Sequence, residues 1–395
     1  MAFYSSVGTS RAMEDSQSAG HDAAAAALRD LGRDKAALAL VVASPRYDQA
    51  LMLKGIHAAL GDTPVVGCTS AGAIVNEGVL EKAVSILLVA SDAGTFTPIK
   101  VTGIGKDMRS AGRQFGEQVK AAGDAKVAFM FSDALAGNGT ELVRGVLDVM
   151  GSGFPLVGGA AGDDMDFKKT SQYFNEEVLG DAAVGFAIAG DVRVVAGADH
   201  GWEPIGTPRK VTKAEGTKLI ELDGKPAFEI YKDYFAERAD DFKKALSLAA
   251  VSYPLGMKAP GHEQLMIRVP LVVGDDGSIV CGAEVLEGSE VSILLGTMAS
   301  ALGAAEDIAK KLAAQIPDIE KRVVFVSDCV ARKILLGEHG SEEIALLRAI
   351  GGPKAQIFGF YSYGQMAPLR TPAADVNTCD PGYYEQSISI TMFGV

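Results

Sequence analysis

The residues of this sequence that are best placed to do chemistry are Ser327, Asp328 and Cys329, which follow an apolar run. Arg332 comes one helical turn later, and its guanidinium suits either a bidentate pair with a ligand carboxylate or an ion pair with an acid at the edge of the core. The Cys329 thiol becomes a nucleophile where a basic neighbour lowers its pKa. No histidine can be assigned as that neighbour, so a buried and unreactive thiol is the favoured interpretation.

Glycine-rich polar turns elsewhere in the chain also follow apolar runs. They contain the remaining candidate ligand-binding residues, which are Cys68, Thr69, Ser70, Gly159, Asp163, Tyr361, Tyr363, Gly364 and Gln365. Ligands of open α/β sheets bind at the carboxyl ends of strands, where a helix N-terminus favours an anionic group. The alternative is that Ser and Asp after a strand only cap the next helix. We predict that these turns converge with residues 328–332 on one small-molecule site.

Signatures of cofactor and metal chemistry are missing from the sequence. Neither a GxxxxGK[ST] loop nor an HExxH motif occurs, and GxxSxG at residues 67–72 is one residue longer than the nucleophile elbow of esterases. The five histidines do not pair at metal-ligand spacing. We therefore expect no metal, no cofactor and no assigned catalytic residue.

Composition restricts the class of partner. The net charge is −13 and the pI is near 5.0, which disfavours nucleic acid because phosphate contacts need clusters of Lys and Arg. No stretch approaches the roughly 20 apolar residues of a membrane helix, and no secretory signal is evident at the N-terminus. Four scattered cysteines without CxxC spacing are typical of reduced thiols. These features indicate a cytoplasmic protein.

A pattern of strand, helix and strand occurs three times, beginning at Lys35, Ala125 and Lys321. Strands that alternate with helices at short spacing predict an α/β fold, with repeated strand–helix–strand units that form mixed, largely parallel sheets flanked by helices. Further buried strands are expected at residues 83–90 and 182–189. A half-buried strand is expected at residues 386–393.

A segment without the strand–helix–strand pattern separates the second and third units. Residues 207–226 and 264–287 read as hairpins, and residues 290–296 are expected to be the strand that leads into the third unit. Gly, Trp and two Pro cluster near residues 200–208. We therefore expect two domains, residues 1–205 with two units and residues 206–395 with the third unit and the inserted hairpins.

Several motifs together resemble the FIST family of paired FIST N and FIST C domains. The resemblance covers the chain from about Lys35 onward, and its segments are VVGCTSAG (65–72), LVGGAAGDD (156–164), ELDGKPAFEIY (221–231), SDCVAR (327–332) and FGFYSYGQMAP (358–368). It implies an intracellular sensory module for a small ligand, with an amino acid as one suggestion. Where the family pattern often has an acidic residue, this chain has Ala73 and Gln365. A ligand ammonium group prefers a carboxylate there, so a neutral or anionic ligand is the alternative.

The resemblance and the turns together predict a stand-alone cytoplasmic sensor that binds an amino acid or small metabolite and acts on a separate signalling protein. In this hypothesis Arg332 and backbone amides hold an anionic group, a tyrosine (Tyr361 or Tyr363) covers an apolar part, and Arg332→Ala leaves the fold intact. The alternatives are an enzyme that uses Cys329 in acyl or thiol chemistry and a scaffold without a ligand. The sequence does not name the ligand.

Overall fold

The computed structural model of the protein describes residues 2–258, 265–320, 322–368 and 382–395. The first unit contains β1 (Phe3–Ser10), α1 (Ser16–Asp30), β2 (Leu38–Ala43), α2 (Gln49–Leu60), β3 (Val65–Thr69), β4 (Ala73–Val75), β5 (Gly78–Leu80) and β6 (Val84–Ser91). The second contains β7 (Gly94–Thr102), α3 (Met108–Ala121), β8 (Ala125–Ser132), α4 (Gly139–Met150), β9 (Leu156–Ala160), β10 (Gln172–Phe174), β11 (Glu177–Leu179) and β12 (Ala182–Gly190).

The third unit begins with β13 (Arg193–Asp199) and is then interrupted by an inserted region. The inserted region contains β14 (Glu203–Pro204), β15 (Arg209–Glu215), β16 (Lys218–Leu222), β17 (Lys225–Pro226), α5 (Glu229–Phe235), α6 (Ala239–Lys244), α7 (Leu246–Ser252), β18 (Leu255–Lys258), β19 (Leu265–Arg268), β20 (Pro270–Val273), β21 (Ile279–Cys281) and β22 (Glu290–Leu295). The unit resumes with α8 (Met298–Ala313), β23 (Arg322–Cys329), α9 (Val330–Leu336), α10 (Gly340–Gly351), β24 (Gln356–Ser362), β25 (Gly364–Met366), β26 (Tyr383–Tyr384) and β27 (Ile388–Gly394).

Local sequence explains where the long helices begin. Side chains of Asp15, Asp48, Asp107 and Asn138 accept hydrogen bonds from backbone N–H groups in the first turn of α1, α2, α3 and α4. Thr297 and Ser300 form a reciprocal capping box at the start of α8. No helix within the described residues has both the length and the apolar character needed to cross a membrane.

Each unit builds a mixed sheet in the same strand order. The three sheets run β1-β6-β2-β3, β7-β12-β8-β9 and β13-β27-β23-β24 before they receive two further strands. The mixed sheets flanked by helices are confirmed, but the balance of strand directions differs from the expectation. The pairs β2–β3, β8–β9 and β23–β24 are parallel, whereas the paired outer strands run antiparallel to their neighbours. The reason is that two short antiparallel strands follow each parallel pair, and β6, β12 and β27 then run in the opposite direction.

Each unit contributes a hairpin of two short strands to the sheet of another unit, and the three contributions form a closed cycle. The first unit's hairpin β4–β5 completes the third unit's sheet, the second unit's β10–β11 completes the first sheet, and the third unit's β25–β26 completes the second sheet. The joining pairs are β4 with β24, β10 with β3, and β25 with β9. Each unit therefore depends on another one for two of its six strands.

A glycine recurs in the second parallel strand of each unit because the neighbouring backbone is too close for a side chain. A Cβ on Gly67 would lie 1.9 Å from the Val41 carbonyl oxygen, and one on Gly359 would lie 1.9 Å from that of Val326. Gly158 is equivalent, with 2.1 Å to the Met130 carbonyl oxygen. These glycines lie inside strands rather than in turns, so strand packing alone accounts for them.

The inner faces of the three sheets share one apolar core. Phe129 of β8 stacks on Phe186 of β12 with ring centroids 4.5 Å apart, and its edge contacts Phe325 and Phe393 of the third unit at 5.3 and 5.6 Å. Phe3 of the first unit joins the same cluster. Separate outer clusters pack each sheet against its own helices. The three sheets thus form a closed arrangement with the helices outside.

The inserted region has its own sheet and its own core. The expected lead-in strand at residues 290–296 exists as β22, but it pairs with β14, β15 and β18 in the inserted sheet. The strand that leads into the third unit is β13, which pairs with β27. The insertion separates β13 from α8, so the segment that the sequence placed between the second and third units interrupts the third unit. Three of the four sheets of the described residues combine strands from both sides of residue 205, and the division into domains there stays a prediction.

Candidate functional site

Three crossing segments meet where the chain leaves β3, β9 and β24. The N–H of Ala71 donates to the Tyr361 carbonyl at 3.1 Å, and the N–H of Tyr361 donates to the Gly72 carbonyl at 2.9 Å. The N–H of Gly162 donates to the Thr69 carbonyl at 3.1 Å, which links the first and second units. The predicted turns therefore converge, and they do so through backbone hydrogen bonds.

Four of the predicted residues pack tightly around Ser362 at the junction of the second and third sheets. The hydroxyl oxygens of Ser327 and Ser362 are 2.9 Å apart, and the Gln365 amide is 2.9 Å from the Ser362 hydroxyl. Gly159 packs on them so closely that a Cβ there would be 2.3 Å from the Ser327 hydroxyl oxygen and 2.9 Å from the Gly364 carbonyl oxygen. All of these side chains are fully buried. The burial and the close approach of Gly159 show that this contact packs the two sheets against each other.

Arg332 lies at the centre of a fully buried charged cluster. Its Nε donates to an Asp328 carboxylate oxygen at 2.8 Å, and its other nitrogens donate to the carbonyls of His200 at 2.8 Å and Ala301 at 3.1 Å and to the Glu343 carboxylate. The side chains of Arg332, Asp328 and Glu343 are all inaccessible to solvent. The guanidinium thus joins α9, β23, α10 and the start of the inserted region.

This cluster contains two carboxyl groups for one cation. The second oxygens of Asp328 and Glu343 and the Tyr361 hydroxyl are buried and have no hydrogen-bond partner among the described residues. Burial and the nearby charge of Glu343, whose carboxyl is within hydrogen-bonding reach, raise the pKa of Asp328 well above its usual value. Burial also raises the pKa of Tyr361. One proton shared by the two carboxyl groups would satisfy both oxygens.

The predicted role of Arg332 changes with this geometry. Its hydrogen-bonding nitrogens are engaged inside the protein, so none is directed at a ligand. Removing it would leave Asp328 and Glu343 without a buried counter-charge, and breaking a buried ion pair typically costs 3–5 kcal/mol. In contrast to the expectation from the sequence alone, we therefore expect Arg332→Ala to destabilise the fold.

The predicted cysteines are both buried. Cys329 is 4% exposed, and burial raises the pKa of its thiol to about 11. Cys68 lies within β3, and burial raises the pKa of its thiol well above the usual value. A nucleophilic cysteine needs a lowered pKa and access for its substrate. The environment of Cys329 therefore does not favour the enzyme hypothesis.

An open cleft of about 430 Å³ lies beside the crossing segments, at the carboxyl ends of β2 and β3. On the side of the first unit it is lined by Arg46, Gln49, Ala50 and Thr69. The Thr69 hydroxyl oxygen accepts a hydrogen bond from the N–H of Ser171 at 2.9 Å. The volume lies within the range of small-molecule pockets, and its position matches the rule for ligand sites of α/β sheets.

The opposite wall of the cleft comes from the second unit and is organised by Asp163. The Asp163 carboxylate is buried and accepts hydrogen bonds from the N–H groups of Phe167, Lys168 and Lys169 at 2.7–2.9 Å. It also accepts one from the Tyr363 hydroxyl at 2.5 Å. Burial opposes ionisation, but these four donors outweigh it and hold the pKa of Asp163 below its usual value.

Tyr363 connects this wall to the third unit. Its hydroxyl oxygen accepts from the N–H groups of Asp163 at 3.2 Å and Met165 at 2.8 Å, and the Phe167 ring stacks on its ring at 4.4 Å. Met165 and Phe167 have positive φ values of 65° and 51° and are exposed. The wall, residues 163–169, is therefore a strained segment held by one carboxylate and one phenol.

The structure sorts the predicted site residues into separate places. Thr69 and Asp163 border the cleft, and Tyr363 supports its wall. Ser70 belongs to the crossing, where its hydroxyl oxygen accepts from the Gly72 N–H at 3.3 Å. Ser327, Gly159, Gly364 and Gln365 form the packed contact, and Asp328, Arg332 and Tyr361 form the charged cluster. Cys68 and Cys329 lie in the core.

Sequence reasoning missed the basic residues of the cleft. Arg46 follows β2 in the segment SPRYD, and Lys168 and Lys169 are adjacent in the chain. The position of Arg46 after the first strand was an available signal, because that strand end is equivalent to the one at Asp328. Glu343 carried no such signal, since it is one of two adjacent acids on a helix. Among the described residues, no group of three His, Cys, Asp or Glu side chains has metal-binding geometry.

Three mixed sheets, helices on their outer faces and a cleft at the strand ends define an α/β protein built from one repeated unit. The sequence model of the FIST N domain matches residues 37–225, and that of the FIST C domain matches residues 227–368. The chain belongs to the FIST family. FIST domains are sensory-type domains of signalling proteins and take small ligands.

The relatives share moderate identity and carry no assigned activity. An uncharacterized protein of Methanocaldococcus jannaschii is 25% identical over 293 residues, which are 69% of this chain and 55% of the relative. The chain thus spans about half the length of that relative. An uncharacterized protein of Mycobacterium tuberculosis is 24% identical over 375 residues, which are 92% of this chain and 94% of the relative. One of Mycobacterium bovis is 25% identical over 228 residues, 55% of this chain and 56% of the relative.

Proposed function

We propose that the protein is a cytoplasmic sensor that binds an amino acid or small metabolite in the strand-end cleft and acts on a signalling protein. The observation that carries the proposal is the cleft of about 430 Å³ at the carboxyl ends of β2 and β3, beside the crossing of all three units. Three described cysteines are free thiols, in keeping with a reducing compartment. The family's sensory character supports the functional class.

The predicted residues take different roles in this proposal. Thr69 and Asp163 border the ligand, and the crossing segments and the packed serine contact hold the cleft in place. Arg332 and Asp328 act as a structural cluster behind it. Tyr361 connects the two parts, because its ring lies against Gly72 at the crossing and its hydroxyl faces the buried charges.

The wall of the cleft supplies a route for the signal. A ligand that contacts the segment 163–169 also acts on Tyr363, which belongs to the third unit. A ligand with different affinity for two placements of this wall shifts their populations. The third unit and the inserted region would then present the partner protein with an altered surface.

A steric block of the cleft tests the proposal. Ala50 is exposed on α2 and lines the cleft, so Ala50→Trp fills it without disturbing the core. Ala58 is exposed on the same helix and lines a different groove, so Ala58→Trp is the matched control. Native mass spectrometry and a thermal-shift screen of amino acids, organic acids and nucleotides are the measurements.

We expect at least one compound to raise the melting temperature of the wild type and of Ala58→Trp but not of Ala50→Trp. A ligand at 100 times its Kd adds about 2.7 kcal/mol of stability, which such a screen detects. Binding that survives Ala50→Trp would place the ligand elsewhere, and no binding by any compound would argue for a scaffold.

A further inference from the structure

The cleft concentrates positive charge in an acidic protein. Arg46, Lys168 and Lys169 line it, whereas the whole chain carries a net charge of −13. Asp163 and Asp166 are its acidic lining residues. The Asp163 carboxylate already accepts four hydrogen bonds from the protein, so it has little capacity left for a ligand. A local excess of cations with low-dielectric walls attracts anions.

Arg46 is held by partners that a ligand can replace. Its guanidinium nitrogens lie 3.4 Å from an Asp164 oxygen and 3.1 Å from an Asp166 oxygen, and its side chain is 44% exposed. Ion pairs exposed to this degree contribute little to stability, because solvent screens them. An incoming carboxylate or phosphate can pair with the planar guanidinium through two parallel hydrogen bonds, which is the stronger geometry.

Lys168 and Lys169 are placed at the cleft by their own backbone. Their N–H groups bind the Asp163 carboxylate at 2.7 and 2.9 Å, which fixes both residues in the wall. Both side chains are exposed, and neither forms an ion pair with another described residue. The two ammonium groups are thus available to a second acidic group of the same ligand.

We propose that the ligand of this cleft is a small organic acid with two negative charges, bound by Arg46 at one end and by Lys168 and Lys169 at the other. The inference rests on the proposed function and names its ligand class. On binding, Arg46 exchanges Asp166 for the ligand, so occupancy alters the wall segment 163–169. The volume of about 430 Å³ accommodates a molecule of this size.

Calorimetric titration of the purified full chain tests the ligand class. The probes are succinate and inorganic phosphate as dianions, succinamide as a neutral isostere of succinate, and putrescine as a diamine. The variants are Arg46→Gln and the double variant Lys168→Gln/Lys169→Gln. Lys54→Gln is the matched control, because Lys54 is exposed on α2 outside the cleft. All four substituted residues are exposed, and an unchanged melting temperature verifies folding.

We expect at least one of the two dianions, succinate or phosphate, to bind. Succinamide and putrescine should not bind. Each cleft variant should weaken binding about tenfold or more, since a hydrogen bond to a charged group is involved, and Lys54→Gln should leave it unchanged. Binding of a dianion that is insensitive to both cleft variants would overturn the proposal. Binding of succinamide or putrescine alone, abolished by Ala50→Trp, would refute the ligand class and leave the sensory function standing. Absence of any binding, by these probes and by the wider screen, would overturn both.

Discussion

Asp328 and Glu343 compete for one guanidinium in a place that water does not reach. A pair of carboxylates with a single buried cation would leave an uncompensated charge, so a shared proton is the physical solution. Other charged or titratable side chains that interact with this pair include Arg332, Tyr361 and Cys329. The cluster therefore has consequences for stability that depend on pH.

Stability should fall as pH rises through the titration of Asp328. The pKa of an aspartate is about 3.9 in an unfolded chain, and burial together with Glu343 raises the pKa of Asp328 in the folded protein. The folded state then keeps a proton that the unfolded state loses, so this contribution is complete below about pH 3.9 and disappears as pH rises toward the folded pKa. One such proton gives a slope of at most about 1.4 kcal/mol per pH unit.

Glu343→Gln should reduce this dependence, because it removes the neighbouring negative charge and leaves Asp328 paired with Arg332. Urea unfolding between about pH 5 and about pH 9 measures the free energy of unfolding and its slope. Glu342→Gln is the control, since Glu342 is the exposed neighbour on the same helix. A slope that is the same in all three proteins would show that no proton is shared.

Arg332→Ala should destabilise the protein by about 3–5 kcal/mol, because it leaves buried carboxylates without their partner. Arg348→Ala, on the exposed face of α10, should change stability by about 0.5 kcal/mol or less. Denaturant unfolding of both variants gives the comparison. A near-neutral Arg332→Ala would mean that the cation contributes little to stability.

At the scale of elements, the cleft wall is the segment most dependent on a few contacts. The Tyr363 hydroxyl satisfies two backbone N–H groups and donates to Asp163. Those contacts hold several residues with positive φ in place. The wall is therefore expected to be less stable than the sheets that it joins.

Tyr363→Phe should loosen this wall at a cost of about 1–3 kcal/mol, the usual range for buried groups that lose a hydrogen bond. Hydrogen exchange of the amides of residues 165–169 should accelerate, while the amides of α1 serve as an internal reference. Acceleration throughout the protein would instead point to a global loss of stability. Unchanged exchange in both regions would show that Asp163 alone holds the wall.

The elements themselves were largely predictable from the sequence, but their partners were not. The helix expected at residues 16–31 is α1, and the strands expected at residues 83–90 and 182–189 are β6 and β12. Periodicity and capping report on neighbours along the chain, so they identify such elements. The three-residue strands β4, β10 and β25 pair with residues far away, and so short a pattern does not specify its partner.

The candidate site shows the same limit. The turns after β3, β9 and β24 were expected to converge because strand ends share one edge, and they do. Arg332 was expected at a ligand because its charge was visible, whereas its partner Glu343 lies on another helix. Lys168 and Lys169 enter the cleft only because the second unit supplies two strands to the first sheet. Tertiary pairing, which a single sequence does not display, decides each of these outcomes.

At the scale of the whole molecule, the three units share one core and should unfold together. Phe129 contacts the second and third units, and its cluster also includes Phe3 of the first. Phe129→Ala should cost about 3–5 kcal/mol. Native-state hydrogen exchange should then show an equal loss of protection in β2, β8 and β23.

Phe228→Ala provides the comparison, because Phe228 is buried in the core of the inserted region. This variant should leave the protection of β2, β8 and β23 nearly unchanged. If Phe129→Ala reduced the hydrogen-exchange protection of β8 alone, each unit would be an independent folding unit despite the exchanged hairpins.

The exchanged hairpins also govern the order in which the protein can mature on the ribosome. Strand β4 is synthesised long before its partner β24, since Val75 pairs with Phe358. At ordinary translation rates that wait is on the order of tens of seconds. During it the nascent chain carries strands whose edges are unpaired, and such edges promote aggregation. Chaperones that bind extended apolar segments during translation are therefore expected to associate with this chain until β24 has been made.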